Sequence, residues 1–173
     1  SSLNLSGVPW RCTPDFFNVS ENMEKHLKKL GIVIPDAPAP LANYKPYSIS
    51  GKQIFISGQL PIKNNKLKFI GKLGKEITKK EAIDAAQICI INIVAQLKDA
   101  CSGNLNKVKS CLKLNVYLNS SNKYANNADV VNSASSMLVK IFGKKGKHAR
   151  SAVGVNSLPM DSVLEIDAIF EMK

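Results

Sequence analysis

At 173 residues, 45% of them apolar, the chain is long enough for one domain with a sizeable core, which excludes a disordered or purely linking role. Its 24 basic and 13 acidic residues leave a charge of +11, which admits acidic partners, nucleic acid among them. Two histidines (His26, His148) and four cysteines (Cys12, Cys89, Cys101, Cys111) without metal-ligand spacing argue against zinc, and no apolar run reaches membrane-spanning length.

Residues 1–20 are polar and aperiodic and read as an arm, although Trp10, Phe16 and Phe17 could pack down; residues 21–173 read as a single domain. Asn4, Asn18 and Asn119 each open an N-x-S sequon, a pattern frequent by chance. Glu21 to Leu30 predicts a short helix stopped by Gly31, with Met23, Leu27 and Leu30 on one side. Pro35, Pro38 and Pro40 exclude regular helix and make an extended lead-in to Tyr44. Tyr47 to Ser50 and Gln53 to Ser57 form a strand pair about Gly51. The second strand ends in Gly58-Gln59-Leu60-Pro61, where glycine permits close approach by a neighbour or ligand. Asn64-Asn65 marks a turn, and Leu67 to Ile70 a short strand.

Thr78-Lys79-Lys80-Glu81 is a capping box that opens the longest helix, running to about Ala100. Ala82, Ala86, Cys89, Ile93, Leu97 and Ala100 recur at helical spacing, and Lys80, Asp84, Gln87 and Lys98 lie opposite. Cys89 and Cys101 read as small core residues, consistent with a reducing compartment. Lys107 to Leu118 alternates, with Leu112, Leu114, Val116 and Leu118 on the covered face. A second helix spans about Ser121 to Phe142, with Tyr124, Ala128, Val131, Ser135, Leu138 and Phe142 along its stripe, and Gly143 ends it. Lys144 to Lys147 is a basic loop. It has no interleaved aromatics for base stacking, and the other lysines are scattered. This order predicts a two-layer α+β domain: a mixed sheet with both long helices on one face. The other face needs water or a second subunit, and its apolar strand residues favour a subunit.

The chain closes with two strands joined by a tight loop. In His148 to Val155, alternation puts Arg150, Ala152 and Gly154 on one face, so a guanidinium sits beside the space left by two of the smallest residues. In the last strand Leu164, Ile166, Ala168 and Phe170 share a face, and Glu165 and Asp167 take the other. A turn about Leu158 to Met160 sets Glu165 roughly opposite Ala152. An arginine fork grips a carboxylate or phosphate, and a carboxylate can hold water or move a proton, so the pair points to a site for a small anion. An ordinary ion pair on a hairpin accounts for the same spacing.

Several motifs stand in one order: Tyr44, then Ser57-Gly58-Gln59-Leu60-Pro61, then Phe142-Gly143, His148-Ala149-Arg150-Ser151-Ala152-Val153, Leu158-Pro159 and Glu165-Ile166. Together they resemble the Rid family of reactive-intermediate deaminases, also called the YjgF family, with an older name of L-PSP endoribonuclease. The resemblance spans residues 35–173. It implies a chorismate-mutase-like α+β fold, a ring-shaped homotrimer with sites in clefts between subunits, and no metal or other cofactor. It further implies hydrolysis of 2-aminoacrylate-type enamines and imines to 2-keto acids and ammonia. In that reading Arg150 binds the substrate carboxylate and Glu165 positions the attacking water. Tyr44 and Ser57 line the cleft with the Gly58 backbone close by, and Ala152 stands beside Arg150.

The chain departs from that pattern as a side branch would. Ala152 replaces a common cysteine, Ala42-Asn43 a glycine-proline, and His148 a common proline; the helix before Pro35 is extra. His148 reads as a solvated loop residue. Ser57 and Ser151 have no histidine suited to a triad and read as polar lining or surface. Two other readings stand beside the deaminase: an RNA-binding or RNA-cleaving protein, whose phosphate contacts would be weak and salt-sensitive, and a non-catalytic trimer that binds small acids. No membrane partner is expected. The chain begins at Ser1 rather than Met, which suggests a removed leader and a cytoplasmic or organellar-matrix address.

Overall fold

The computed structural model describes residues 22–121 and 127–173. The predicted arm, with Cys12, Asn4 and Asn18, lies outside the described residues, as does Tyr124. Helix α1 (Met23–Leu30) starts on Asn22, whose side chain accepts the Glu24 N–H, and stops at Gly31 in the left-handed region. Its Met23 and Leu27 enter the core. Strands β1 (Tyr47–Ser50) and β2 (Gln53–Gln59) make the predicted antiparallel pair about Gly51. Asn64 and Asn65, both at positive φ, turn a two-residue hairpin of β3 (Ile62–Lys63) and β4 (Lys66–Leu67). The strand expected at Leu67 to Ile70 is therefore mostly elsewhere; Ile70 makes only an isolated bridge to Ser162.

The capping box is present at the start of α2 (Lys79–Ala100), with both reciprocal bonds made. Ala82, Ala86, Cys89, Ile93 and Leu97 are all fully buried. In β5 (Val108–Asn119) the expected alternation breaks twice, between Val108 and Ser110 and between Cys111 and Lys113. Cys111 pairs with Phe170 and Lys113 with Ile169, so Leu112 is an extra residue in a bulge. Cys111, not Leu112, therefore shares the buried face with Leu114, Val116 and Leu118. Helix α3 (Ala128–Phe142) buries Val131, Leu138 and Phe142. The expected basic loop is a 3-10 turn, Gly143–Gly146.

The largest departure from expectation is at the end of the chain. β6 (Ala149–Val155) and β7 (Leu164–Met172) do not form a hairpin. The sheet order is β1-β2-β7-β5-β6. β6 pairs parallel with β5, whereas β7 lies antiparallel between β2 and β5. Two physical reasons account for this. Helix α3 is a crossover that returns the chain in the direction of β5, as parallel neighbours require. And Leu164, Ile166, Ala168 and Phe170 are each at most 1% exposed in the central position. Burying a large apolar side chain contributes about 1.5–3 kcal/mol, so the most apolar strand takes the place covered from both sides. The edge strand β6 keeps six of its seven residues exposed. Both long helices pack on one face of the mixed sheet, and the fold is the expected two-layer α+β arrangement.

Candidate active site

β2 carries a bulge at Ser57 and Gly58: Ile56 pairs with Ala168, but Gln59 pairs with Ile166. The bulge turns Gly58 toward Glu165. A Cβ added to Gly58 would lie 2.8 Å from Glu165 Cδ and nearer still to Oε1, so only glycine leaves room for this carboxylate. Together they line a cleft of about 330 Å³ with Tyr44, Asn92, Gln96 and Met160. Burial, then the nearby Asp167 carboxylate, raises the Glu165 pKa above the usual carboxylate value. Tyr44 is 47% exposed at the mouth. Ser57 lies outside the lining. Its hydroxyl donates to the Lys45 carbonyl at 2.6 Å and its N–H to Pro46 at 3.0 Å, tying the cleft wall to β2.

Arg150 stands elsewhere. Its strand neighbour is Leu114, which puts it on the helix side of the sheet, whereas Glu165 pairs with Tyr117 on the far side of β5. Neighbouring strands are about 4.8 Å apart, so β6 and β7 are separated by about 10 Å. The ion pair and the shared small-anion site expected of a hairpin are both absent within one protomer. Ala152 lies exposed on β6 with Arg150, also apart from the cleft.

The guanidinium is nonetheless held. Arg150 Nη1 donates to Asn132 Oδ1 at 3.0 Å and to Ser135 Oγ at 3.1 Å, both on α3. Ser135 Oγ lies 2.9 Å from His148 Nε2, and His148 Nδ1 lies 2.6 Å from the Gly146 carbonyl. A carbonyl can only accept, so Nδ1 carries the hydrogen, and Nε2 is free to accept from Ser135. Burial, and after it the Arg150 charge, lowers the His148 pKa despite the Gly146 bond. His148 is thus half-buried and hydrogen-bonded, not a solvated loop residue.

The sequence reading missed Asn132 and Ser135 as arginine partners, and Asn92 and Gln96 as cleft residues. For the latter two the signal was present: two amides four residues apart on a helix otherwise apolar there occupy one face. Asn92 Nδ2 donates to the Leu60 and Ile62 carbonyls, and Gln96 Nε2 to Pro38. Cys89, Cys101 and Cys111 are buried free thiols, and burial pushes Cys111 up to about 12. Among the described residues no three His, Cys, Asp or Glu side chains gather as metal ligands.

The family model described as "YjgF/chorismate mutase-like, putative endoribonuclease" matches residues 24–172. The chain belongs to this family. The match takes in α1, which the motif pattern had left outside. Protein TCP17 of Trypanosoma cruzi is 40% identical over 154 residues, 88% of this chain and 96% of its own. The crystal structure of Atu1372, of unknown function, from Agrobacterium tumefaciens superposes with a TM-score of 0.81 at 40% identity, covering 87% of this chain and 92% of that one. RidA from the Antarctic bacterium Psychrobacter sp. PAMC 21119 superposes less closely, at 0.56 and 27% identity, over 79% of this chain and 94% of its own.

Proposed function

We propose that the protein hydrolyses reactive enamines and imines of the 2-aminoacrylate type to 2-keto acids and ammonia, in clefts completed between copies of the chain. The observation that carries this reading is the Glu165 carboxyl group, half-buried over Gly58 in a cleft that Tyr44 borders. After tautomerisation of the enamine the reaction is R–C(=NH2+)–COO− + H2O → R–CO–COO− + NH4+. Glu165 takes a proton as water adds to the imine carbon and returns it to the departing nitrogen. A raised pKa brings a carboxylate nearer the operating pH, where it exchanges protons best. Imines hydrolyse unaided, so orientation and a poised water supply the help needed. Arg150 of a second copy supplies the planar fork that holds the substrate carboxylate. Membership of a family that includes RidA supports the reading.

The test is ammonia release above the spontaneous rate from freshly generated 2-aminoacrylate, with cleavage of single-stranded RNA followed in parallel. Wild type should accelerate release. Arg150→Ala should lose roughly 1.5–3 kcal/mol of charge-assisted binding, about ten- to a hundredfold. Glu165→Gln should lose about a hundredfold or more. No acceleration, with RNA cut or keto acid merely bound, would make it a nuclease or a small-acid-binding protein instead.

A further inference from the structure

We propose that Gln96 reads the nitrogen of the ligand: its side-chain oxygen accepts a hydrogen bond from the amino or imino N–H, so that the cleft favours the nitrogen-bearing acid over the keto acid. The inference rests on the deaminase reading of the same cleft and names how that cleft tells substrate from product.

Gln96 lies on α2 and is 1% exposed. Its amide orientation is set, because Nε2 donates to the Pro38 carbonyl at 2.7 Å. Turning the amide over would bring oxygen against oxygen. Oε1 has no protein partner among the described residues. Buried acceptors without a partner are rare in native proteins because each leaves a polar group desolvated. This one belongs to a residue that lines the cleft. Asn92, one turn earlier, commits both of its N–H groups to the Leu60 and Ile62 carbonyls and has none left for a ligand. Glu165 adds a carboxyl group.

These side chains offer the ligand acceptors. An iminium carries two N–H donors and an ammonium three, enough for Glu165 and Gln96 together. A keto oxygen carries none and leaves the Gln96 oxygen unpaired. A site built to hydrogen-bond a donor rejects an analogue lacking it, because its own polar group is then left unpaired. Hydrolysis removes that donor, so Gln96 also loosens the product.

The same residue anchors the wall at Pro38, so the test must separate its two ends. Gln96→Glu keeps an acceptor and loses the donor to Pro38; Gln96→Met loses both. Binding of 2-aminobutyrate and 2-ketobutyrate is measured by calorimetry on wild type and both variants, the ammonium standing in for the imine nitrogen. Wild type should prefer 2-aminobutyrate by about tenfold, Gln96→Glu should keep or enlarge that ratio, and Gln96→Met should bring it near one. In wild type, the Gln96 side-chain carbonyl carbon resonance should shift with 2-aminobutyrate and not with 2-ketobutyrate, a readout that needs no variant to fold. Equal ratios in the two variants, or no resonance shift at saturation, would show an anchor alone and overturn the proposal while leaving the deaminase reading intact. Failure of wild type to bind either acid, with no ammonia release, would remove both.

Discussion

Glu165 and His148 are both held away from their ordinary titration, in opposite directions and by the same main cause, burial. For Glu165 the folded pKa lies above the unfolded value of about 4.3, so the folded state binds the proton more tightly. The associated stability is present at low pH and is lost as pH rises through the folded pKa. Glu165→Gln removes that loss. It should melt higher than wild type at pH 7–8, and the difference should shrink toward zero below pH ~4. A melting difference that is flat across this range would mean the carboxyl group is not desolvated. His148 has the reverse sign: its folded pKa is lowered, so its stability is full above about 6.5 and falls with pH below that. One melting series between pH 4 and 8 reads both effects, with His148→Gln as the second control.

At the scale of elements, the segment between β6 and β7 decides where Glu165 goes. It crosses the end of β5 on a polar knot centred on Asn119, which is fully buried. Asn119 accepts from Lys72 Nζ at 2.7 Å and donates to Asp161 Oδ1 at 3.0 Å and the Ser162 carbonyl at 3.1 Å. Lys72 also reaches the Asn156 carbonyl, and the Gly71 N–H reaches Asp161 at 2.7 Å. The Asn119 sequon is thus occupied by structure and offers no amide to a glycan in the folded chain. The knot holds Met160 and Asp161 at positive φ, which non-glycine residues seldom adopt, and sets Pro159 and Met160 against the cleft. Asn119→Ala removes these three hydrogen bonds and a longer one, 3.5 Å, to the Gly71 carbonyl; at about 1 kcal/mol for each of the three short ones, urea unfolding should show a loss of about 3 kcal/mol. Turnover should fall with it, since the cleft wall moves. A loss under about 0.5 kcal/mol, the size expected of a neutral surface change, would mean the crossing is held by the backbone alone.

At the scale of the molecule, the proposed reaction needs two separate surfaces of the protomer: the cleft with Glu165 and Tyr44, and the open edge where Arg150 bonds Asn132 and Ser135. A contact between two different surfaces is head-to-tail, and one that closes makes a ring. Sedimentation should find a closed ring at micromolar concentration, a homotrimer if it follows the family resemblance. A sharper measurement mixes equal amounts of Arg150→Ala and Glu165→Gln chains, unfolded and refolded together. In a head-to-tail ring about one site in four then pairs an intact Arg150 with an intact Glu165, so about a quarter of wild-type activity should return. A mixture no more active than its two components would place both residues' work within single chains and sink the shared cleft.

Much of this molecule is written in local periodicity. The capping box at Thr78, the α2 stripe, the stop at Gly31, the Asn64-Asn65 turn and the alternation of Leu164 to Phe170 each depend on residues a few positions apart, and each stands where the pattern places it. The motif order from Tyr44 to Glu165 was legible for the same reason and led to the family. Strand neighbours were not, because pairing is chosen by which arrangement buries the most apolar surface across the whole sheet. The spacing of Arg150 and Glu165 suggested a hairpin; burial of β7 and the α3 crossover put β5 between them. Leu112 looked inward until a bulge gave its place to Cys111. Asn92 and Gln96 share one face of α2, and only the approach of Pro38, Leu60 and Ile62 gave those amides their partners. The sequence alone determined which surfaces are apolar and which residues form the family's motifs. Tertiary packing decided which of those residues meet, because contact between distant segments follows from the burial of the whole chain and from no stretch of it.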